Sequence, residues 1–258
     1  MPIQLEAAVE RLIEARAVHR LATPLSETDA DLTLDQAYAI QDALRSEMGR
    51  KGERFIGWKM GATSDAARAD LGVDQPLAGF LLGSGQFASG AEVPLSRFAN
   101  IVAEVEVAFR MRTKLMGPGV TADSALLAVE GVLPALELPD FFFAGKARAV
   151  DIVASGVYAS AIVLGSPLTP LRGLDLALEG VVYEHNGRIV GTHTAAEVMG
   201  NPLNSLAWLA NHLATRGLGL LPGDLVMSGS ISKPLRPKAG ETIRARFTRM
   251  GSISAKFV

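Results

Sequence analysis

The chain has 258 residues, enough for one large domain or a main domain with a smaller helical cap, and 48% of them are hydrophobic. With 27 acidic and 25 basic residues, a formal net charge of -2 and 6% aromatic residues, it has neither the basic surplus nor the stacking platform of a nucleic-acid binder, and no polybasic run for a membrane surface. It contains no cysteine, which excludes disulfides, zinc–thiolate sites and cysteine nucleophiles.

The first residues, 1–16, are charged and amphipathic and lack the apolar core of a signal peptide. No apolar run reaches membrane-spanning length, so the cytoplasm is the expected location. Leu5, Val9, Leu12, Ile13 and Val18 recur between Glu and Arg, which predicts an amphipathic helix over Leu5–Val18. A second helix is predicted from Thr33, whose hydroxyl can cap it while Gln36 returns the bond, ending before Gly49. From about residue 55 the pattern changes to short β-like runs punctuated by glycine, at 55–60, 101–111, 131–138, 157–164 and 181–193. Asn186-Gly187 lies between two apolar runs and predicts a hairpin. Asn201-Pro202 supplies a cap and first-turn proline for a helix carrying Leu206, Trp208, Leu209 and Leu213, with Gly217 beyond its end. Ile243, Ala245 and Phe247 alternate with polar residues, and Ile253, Ala255 and Phe257 repeat the pattern, predicting a second hairpin across Met250-Gly251. The reading is an α+β chain, with a helical segment over residues 1–50 and a β-rich domain over residues 51–258.

Chemistry concentrates at Glu104-Val105-Glu106-Val107. On a strand the two glutamates share one face and the two valines the other. Paired carboxylates repel, and burying them requires a cation or a proton, which a hard divalent ion such as Mg²⁺ or Mn²⁺ supplies. An exposed strand face of alternating Glu and Val is the plain alternative. Glu137 interrupts the apolar run 132–136, as an edge position or a functional group would, and could make the third member of a carboxylate trio. Lys59, among small and apolar residues in Gly57-Trp58-Lys59-Met60-Gly61, could hold a substrate carboxylate or move protons beside a metal, or simply snorkel to the surface. His19 reads as the end of the first helix, His185 as a turn residue and His212 as a helix-face residue, while His193 fits no motif. The turns Gly83-Ser84-Gly85 and Ser228-Gly229-Ser230 are weak as phosphate signals, and no G-x-S-x-G elbow, P-loop or dinucleotide fingerprint occurs.

In order and spacing, several segments together resemble the hydratase branch of the fumarylacetoacetate hydrolase superfamily, the 2-keto-4-pentenoate hydratases and 4-oxalocrotonate decarboxylases. They are Ala37-Tyr38-Ala39-Ile40-Gln41, Gly57-Trp58-Lys59-Met60-Gly61-Ala62-Thr63-Ser64, Glu104-Val105-Glu106, Gly200-Asn201-Pro202, Ala207-Trp208-Leu209-Ala210-Asn211, Leu221-Pro222-Gly223-Asp224, Ser228-Gly229-Ser230 and Gly251-Ser252-Ile253-Ser254. The resemblance implies a mixed β-roll with an N-terminal helical segment, a Mg²⁺ or Mn²⁺ ion held by Glu104, Glu106 and Glu137, and Lys59 as the catalytic residue. It places the substrate side at Gly61, Ser84, Asp151, Ser155 and Ser230.

The sequence departs from the family pattern on that side. Ser84 stands where an acid is expected, the segment after Glu137 reads Leu138-Pro139-Asp140-Phe141-Phe142-Phe143 instead of a more polar run, and Ser155 and Gly156 replace an acid and an amide. The implied function is metal-dependent addition of water to a small 2-oxo-4-enoic acid in aromatic-compound catabolism, by a homo-oligomer able to contact a neighbouring pathway enzyme. Three alternatives stay open: a 4-oxalocrotonate-type decarboxylase, an acylpyruvate C–C bond hydrolase, and a non-catalytic metal-binding partner subunit.

Overall fold

A computed structural model describes residues 5–258; Met1 to Gln4, the start of the amphipathic segment, lie outside the described residues. Helix α1 (Leu5–Val18) buries Ala8, Val9, Leu12 and Ala15, a stripe at i, i+4 and i+7, while Leu5 and Val18 at its ends are exposed. Helix α2 (Leu34–Arg50) starts on the expected box, Thr33 and Gln36 each accepting from the other's backbone N–H. It runs through Gly49 instead of stopping there. Gly52, at φ +93°, takes the left-handed position, and the N–H groups of Gly52 and Glu53 close back on the carbonyls of Gly49 and Met48. A glycine inside a helix costs about 1 kcal/mol but terminates it only where the chain must turn left-handed.

The strands and short helices follow in order: β1 (Phe55–Gly61), α3 (Asp65–Leu71), β2 (Leu77–Leu82), β3 (Gln86–Ala88), β4 (Ala91–Val93), β5 (Glu104–Met111), α4 (Ala122–Ala128) and β6 (Val129–Leu138). Then come α5 (Ala149–Ala154), β7 (Ala161–Leu164), β8 (Gly180–His185), β9 (Arg188–Thr194), α6 (Pro202–Ala214), β10 (Leu225–Met227), β11 (Thr242–Phe247) and β12 (Gly251–Phe257). One sheet runs β2-β1-β10-β5-β6-β7-β3, with β1/β10 and β3/β7 parallel and the other neighbours antiparallel. A second runs β4-β12-β11-β8-β9 and contains both predicted hairpins, with Asn186 and Gly187 at φ 51° and 75° as a two-residue turn requires. This is the α+β mixed β-roll expected. One contiguous core takes residues from α1 and α2 as well as from both sheets, and buried Gln41 of α2 donates to the carbonyls of Ala78 and Val153.

Two expected strands are shorter than their apolar runs. The run 101–111 pairs as a strand only from Glu104, and the run 157–164 only from Ala161. Gly156, Val157 and Tyr158 instead form a left-handed stretch, at φ 81°, 56° and 57°. A β-branched residue at positive φ is a true outlier and costs roughly 1–3 kcal/mol, so the surroundings must over-determine it. They do: the Val157 N–H donates to Ile152, the Tyr158 carbonyl accepts from Asp140, and β1 and β2 present glycines to it. A Cβ on Gly79 would lie 2.3 Å from the Gly156 carbonyl oxygen, and one on Gly61 would lie 2.5 Å from Val157 Cγ1.

Gly57 marks the closest approach of backbones in the sheet. It sits at φ +149° by a bulge in the β1/β2 pairing, and an added Cβ would lie 1.9 Å from the Leu225 carbonyl oxygen of β10. Gly57→Ala should therefore destabilise the fold by roughly 3 kcal/mol, backbone strain plus displacement of β10, as read from chemical denaturation midpoints. A loss below about 0.5 kcal/mol would show that β10 yields freely.

Candidate active site

The site is built by strand alternation and register. On β5, Val105 and Val107 are fully buried on one face, worth roughly 1.5–3 kcal/mol each in apolar burial, while Glu104 and Glu106 take the other. The antiparallel neighbour β6 sets Glu137 directly opposite Glu104. One carboxylate oxygen from each of Glu104, Glu106 and Glu137 lies within 4.8 Å of the others. Glu106 and Glu137 are buried completely and Glu104 is half-buried.

Lys59 reaches this cluster from β1, which joins β5 through β10. The residue is 3% exposed; Nζ lies 3.1 Å from Glu137 Oε1 and donates to the Val157 carbonyl at 3.1 Å. The left-handed stretch at 156–158 is what carries that carbonyl to the ammonium. The Gly229 N–H donates to Glu106 Oε2 at 2.8 Å. Among the described residues, Glu106 Oε1 and both Glu137 oxygens are sealed from water with no hydrogen-bond donor while both carboxyls are ionised; Lys59 meets Glu137 Oε1 as an ion pair, and a proton on Glu106 would be shared with Glu137.

Burial and mutual repulsion govern the protonation of this group. Desolvation first, then the Glu137 charge, lift Glu104 to about 7 against the opposing pull of Lys59. The same causes, with Glu104 added, push Glu106 well above the usual carboxylate range, although Lys59 and the Gly229 N–H oppose them. Desolvation also raises Glu137, with Lys59 holding it down. For Lys59, burial alone would favour the neutral amine, but the summed field of Glu137, Glu104 and Glu106 outweighs it and its pKa rises. Once all three are ionised, as holding a cation requires, three carboxylates and one ammonium leave two negative charges uncompensated, among buried, hard oxygen donors. That donor set fits a divalent cation of the Mg²⁺ or Mn²⁺ type.

Above the cluster opens a cavity of about 910 Å³, lined by Lys59, Gly61, Glu104 and Ser230 among the predicted residues. Glu106 and Glu137 lie against Glu104 and Lys59 beneath it. Gly229, at φ +109°, passes so close to Thr63 that a Cβ would lie 2.5 Å from its side chain. Ser228-Gly229-Ser230 is thus a fitted part of the site and more than a turn.

Three expected substrate-side residues lie elsewhere. Ser84 is exposed at the far end of β2, beyond the Leu82–Phe55 pairing, and its carbonyl accepts from Arg97. The cavity meets β2 at Leu77, so five residues of extended strand, roughly 17 Å, separate even the end of β2 from it. The Asp151 carboxylate is buried and spent on the N–H and hydroxyl of Ser26 and the N–H of Arg148, pinning the N-terminal segment to α5. Ser155 is buried at the end of α5, its hydroxyl on the Ile152 carbonyl and its own carbonyl accepting from Arg16. Asp151→Ala should accordingly cost roughly 1–3 kcal/mol of stability through the donors it strands. Its KM should stay near that of the parent; a tenfold rise in KM without loss of stability would return Asp151 to the substrate.

Sequence reasoning missed Tyr158 and His193, both of which line the cavity. The signal for Tyr158 was the departure at Gly156, where a glycine permits the chain to turn left-handed; for His193 no local signal exists.

Residues 63–258 match the family model described as fumarylacetoacetate (FAA) hydrolase C-terminal. The chain is 33% identical to a 4-oxalocrotonate decarboxylase of Pseudomonas putida, over 95% of this chain and 92% of that one. It is 34% identical to a 2-keto-4-pentenoate hydratase of Paraburkholderia xenovorans (strain LB400), over 99% and 96% respectively. Among solved structures it superposes on 4-oxalocrotonate decarboxylase from Pseudomonas putida G7, complexed with magnesium and adipate, with a TM-score of 0.96, 30% identity and 99% and 97% of the two chains covered. The structure of a fumarylpyruvate hydrolase from Pseudomonas aeruginosa with Mn²⁺ and pyruvate shares the fold, with a TM-score of 0.60 and 16% identity over 80% of this chain and 89% of that one.

Proposed function

Since this chain belongs to the fumarylacetoacetate hydrolase family, we propose that it is a divalent-metal-dependent lyase that adds water to a small 2-oxo-4-enoic acid in aromatic-compound catabolism. The observation that carries this reading is the buried trio Glu104, Glu106 and Glu137 joined to Lys59 under one cavity. The three glutamates would hold Mg²⁺ or Mn²⁺, which when bound supplies Lewis-acid polarisation to the carboxylate and 2-oxo oxygens of the substrate. The relatives support a divalent ion, since the decarboxylase structure is a magnesium complex and the hydrolase structure holds Mn²⁺.

The chain's own groups provide the proton handling. A 2-hydroxy-2,4-dienoate loses the proton of its 2-hydroxyl and gains one at C5, which gives the 2-oxo-3-enoate. Water then adds across the remaining double bond, oxygen to C4 and hydrogen to C3, leaving a 4-hydroxy-2-oxo acid. Lys59 carries the proton within the cavity, its ammonium positioned by Glu137 and the Val157 carbonyl. Gly61 and Ser230 line the wall on which the substrate rests.

Decarboxylation of a 4-oxalocrotonate-type diacid is the second reading, favoured by identities of 33% and 34% to a decarboxylase and a hydratase, a difference too small to choose between them. Both chemistries pass through the same kind of enolate, so fold and carboxylate trio serve either. The homo-oligomer, the pathway-enzyme contact and the cytoplasmic location belong to the same reading.

The test incubates metal-free protein with 2-hydroxypenta-2,4-dienoate and its diacid relative, with and without Mg²⁺ or Mn²⁺. The dienol ultraviolet band is followed and products are identified by mass. Metal-dependent gain of water is the expected result. Loss of CO₂ from the diacid would establish the decarboxylase, and silence on both with measurable metal binding would favour the non-catalytic subunit.

A further inference from the structure

The part of the cavity that departs from the family pattern is also an apolar, aromatic wall. Phe141 and Phe143 follow the strand that carries Glu137, and Ile152, Val157 and Tyr158 come from α5 and the left-handed stretch after it; all five line the cavity. Tyr158 is the hub: its ring lies 4.8 Å from that of Phe141 and 5.8 Å from that of Phe143, and Phe142 backs it at 5.7 Å.

The wall is also fixed in place. The Phe141 N–H donates to Asn100, the Ala22 N–H to Phe142, the Ala144 N–H to Ala22 and the Asp140 N–H to Tyr158, while the Asp140 carboxylate accepts from the N–H groups of Ala99 and Asn100. No rearrangement is needed before it can receive a ligand, which favours a specific, preformed subsite.

Its electrostatics oppose an anion. Among the described residues, besides Lys59, which is committed to Glu137, the lysine lining the cavity is Lys233, exposed, and the guanidinium of Arg236 is engaged at the rim by the Asn100 side chain. Asp70 and Glu197 share the same lining. A carboxylate lodged among Phe141, Phe143 and Tyr158 would lose its hydration without a cation to replace it. The cavity's 910 Å³ is also far more than a five-carbon acid fills.

We propose that the Phe141–Phe143–Tyr158 wall is a tail subsite, and that the substrate is a 2-oxo-4-enoic monocarboxylate bearing an apolar alkyl or aryl group on C5 in place of a second carboxylate. This inference rests on the lyase reading above.

The test measures kcat/KM of the Mn²⁺-loaded full chain on four 2-hydroxy-2,4-dienoates that differ only at C5, which carries hydrogen, methyl, benzyl or carboxylate. The benzyl substrate should exceed the hydrogen substrate at least tenfold and the diacid on the order of a hundredfold, since each added apolar group in a fitted pocket discriminates about tenfold or more. Phe143→Ala should cut the benzyl-to-hydrogen ratio about tenfold. Phe141→Lys, at a half-buried position, should cut it similarly while raising the diacid. A flat series, or the diacid as best substrate of the parent chain, would overturn the tail assignment and leave the lyase standing. Silence on all four in Mn²⁺ would sink the lyase reading, and the tail assignment with it.

Discussion

Lys59→Ala is expected to lower turnover roughly 10²–10⁴-fold, the range for a lost general acid–base group. Its metal affinity should not fall. The ammonium sits 3.1 Å from Glu137, so it competes with any cation for that carboxylate, and its removal leaves the three oxygen donors freer. Calorimetric titration with Mn²⁺ and steady-state turnover, run on the same preparation, separate the two effects. Near-normal turnover would remove Lys59 from the chemistry, and a collapse of metal affinity would make its role structural.

Glu106→Gln should weaken Mn²⁺ binding on the order of a hundredfold or more and abolish turnover, while stabilising the metal-free protein at alkaline pH. The sign follows from the direction of the shifts. In the folded chain Glu104 titrates at about 7 and Glu106 well above its ordinary 4.5, whereas in the unfolded chain both release protons near 4.5. Above that ordinary value the native state therefore binds more protons than the unfolded state, and stability falls as pH rises through about 7 and beyond. Glutamine removes one of the buried charges. Thermal midpoints of metal-free parent and variant at pH about 5.5 and 8 should show a shallower decline in the variant, and saturating Mn²⁺ should flatten the decline in the parent. Parallel declines would mean that the carboxylates are solvated and the cluster is not the source of strain.

How much of this was legible in the sequence depended on distance along the chain. Period-two alternation put Glu104 and Glu106 on one face, and a capping box located the start of α2 to the residue, because both are local relations. The placement of Glu137 opposite Glu104 is a matter of strand register, and the arrival of Lys59 depends on the order β1-β10-β5, which inserts a strand from residue 225 onwards between the two. Neither follows from spacing; the family resemblance supplied both. The same reliance misplaced Ser84, since a motif gives a residue's neighbours in sequence but not which end of β2 faces the cavity. Asp151 was expected on the substrate side, yet its partners Ser26 and Arg148 show that it fastens the helical segment. Val157 and Tyr158 looked like strand because they are β-formers; the left-handed turn overrides that propensity for the sake of the Lys59 contact.

The pairing of Glu104 with Glu137 also bears on how the chain matures after synthesis. A one-residue slip between β5 and β6 would send Glu104 and Glu106 to the face now filled by Val105 and Val107, and bring the valines to the cavity. Apolar burial therefore selects the native alignment, while like-charge repulsion across the strands resists it. Without a cation the chain meets its worst electrostatics in its correct pairing, and a divalent ion held by the trio would offset that repulsion. Refolding in Mn²⁺ should accordingly recover more natively paired protein than refolding in chelator, and equal recovery would show that the carboxylate repulsion does not govern the pairing.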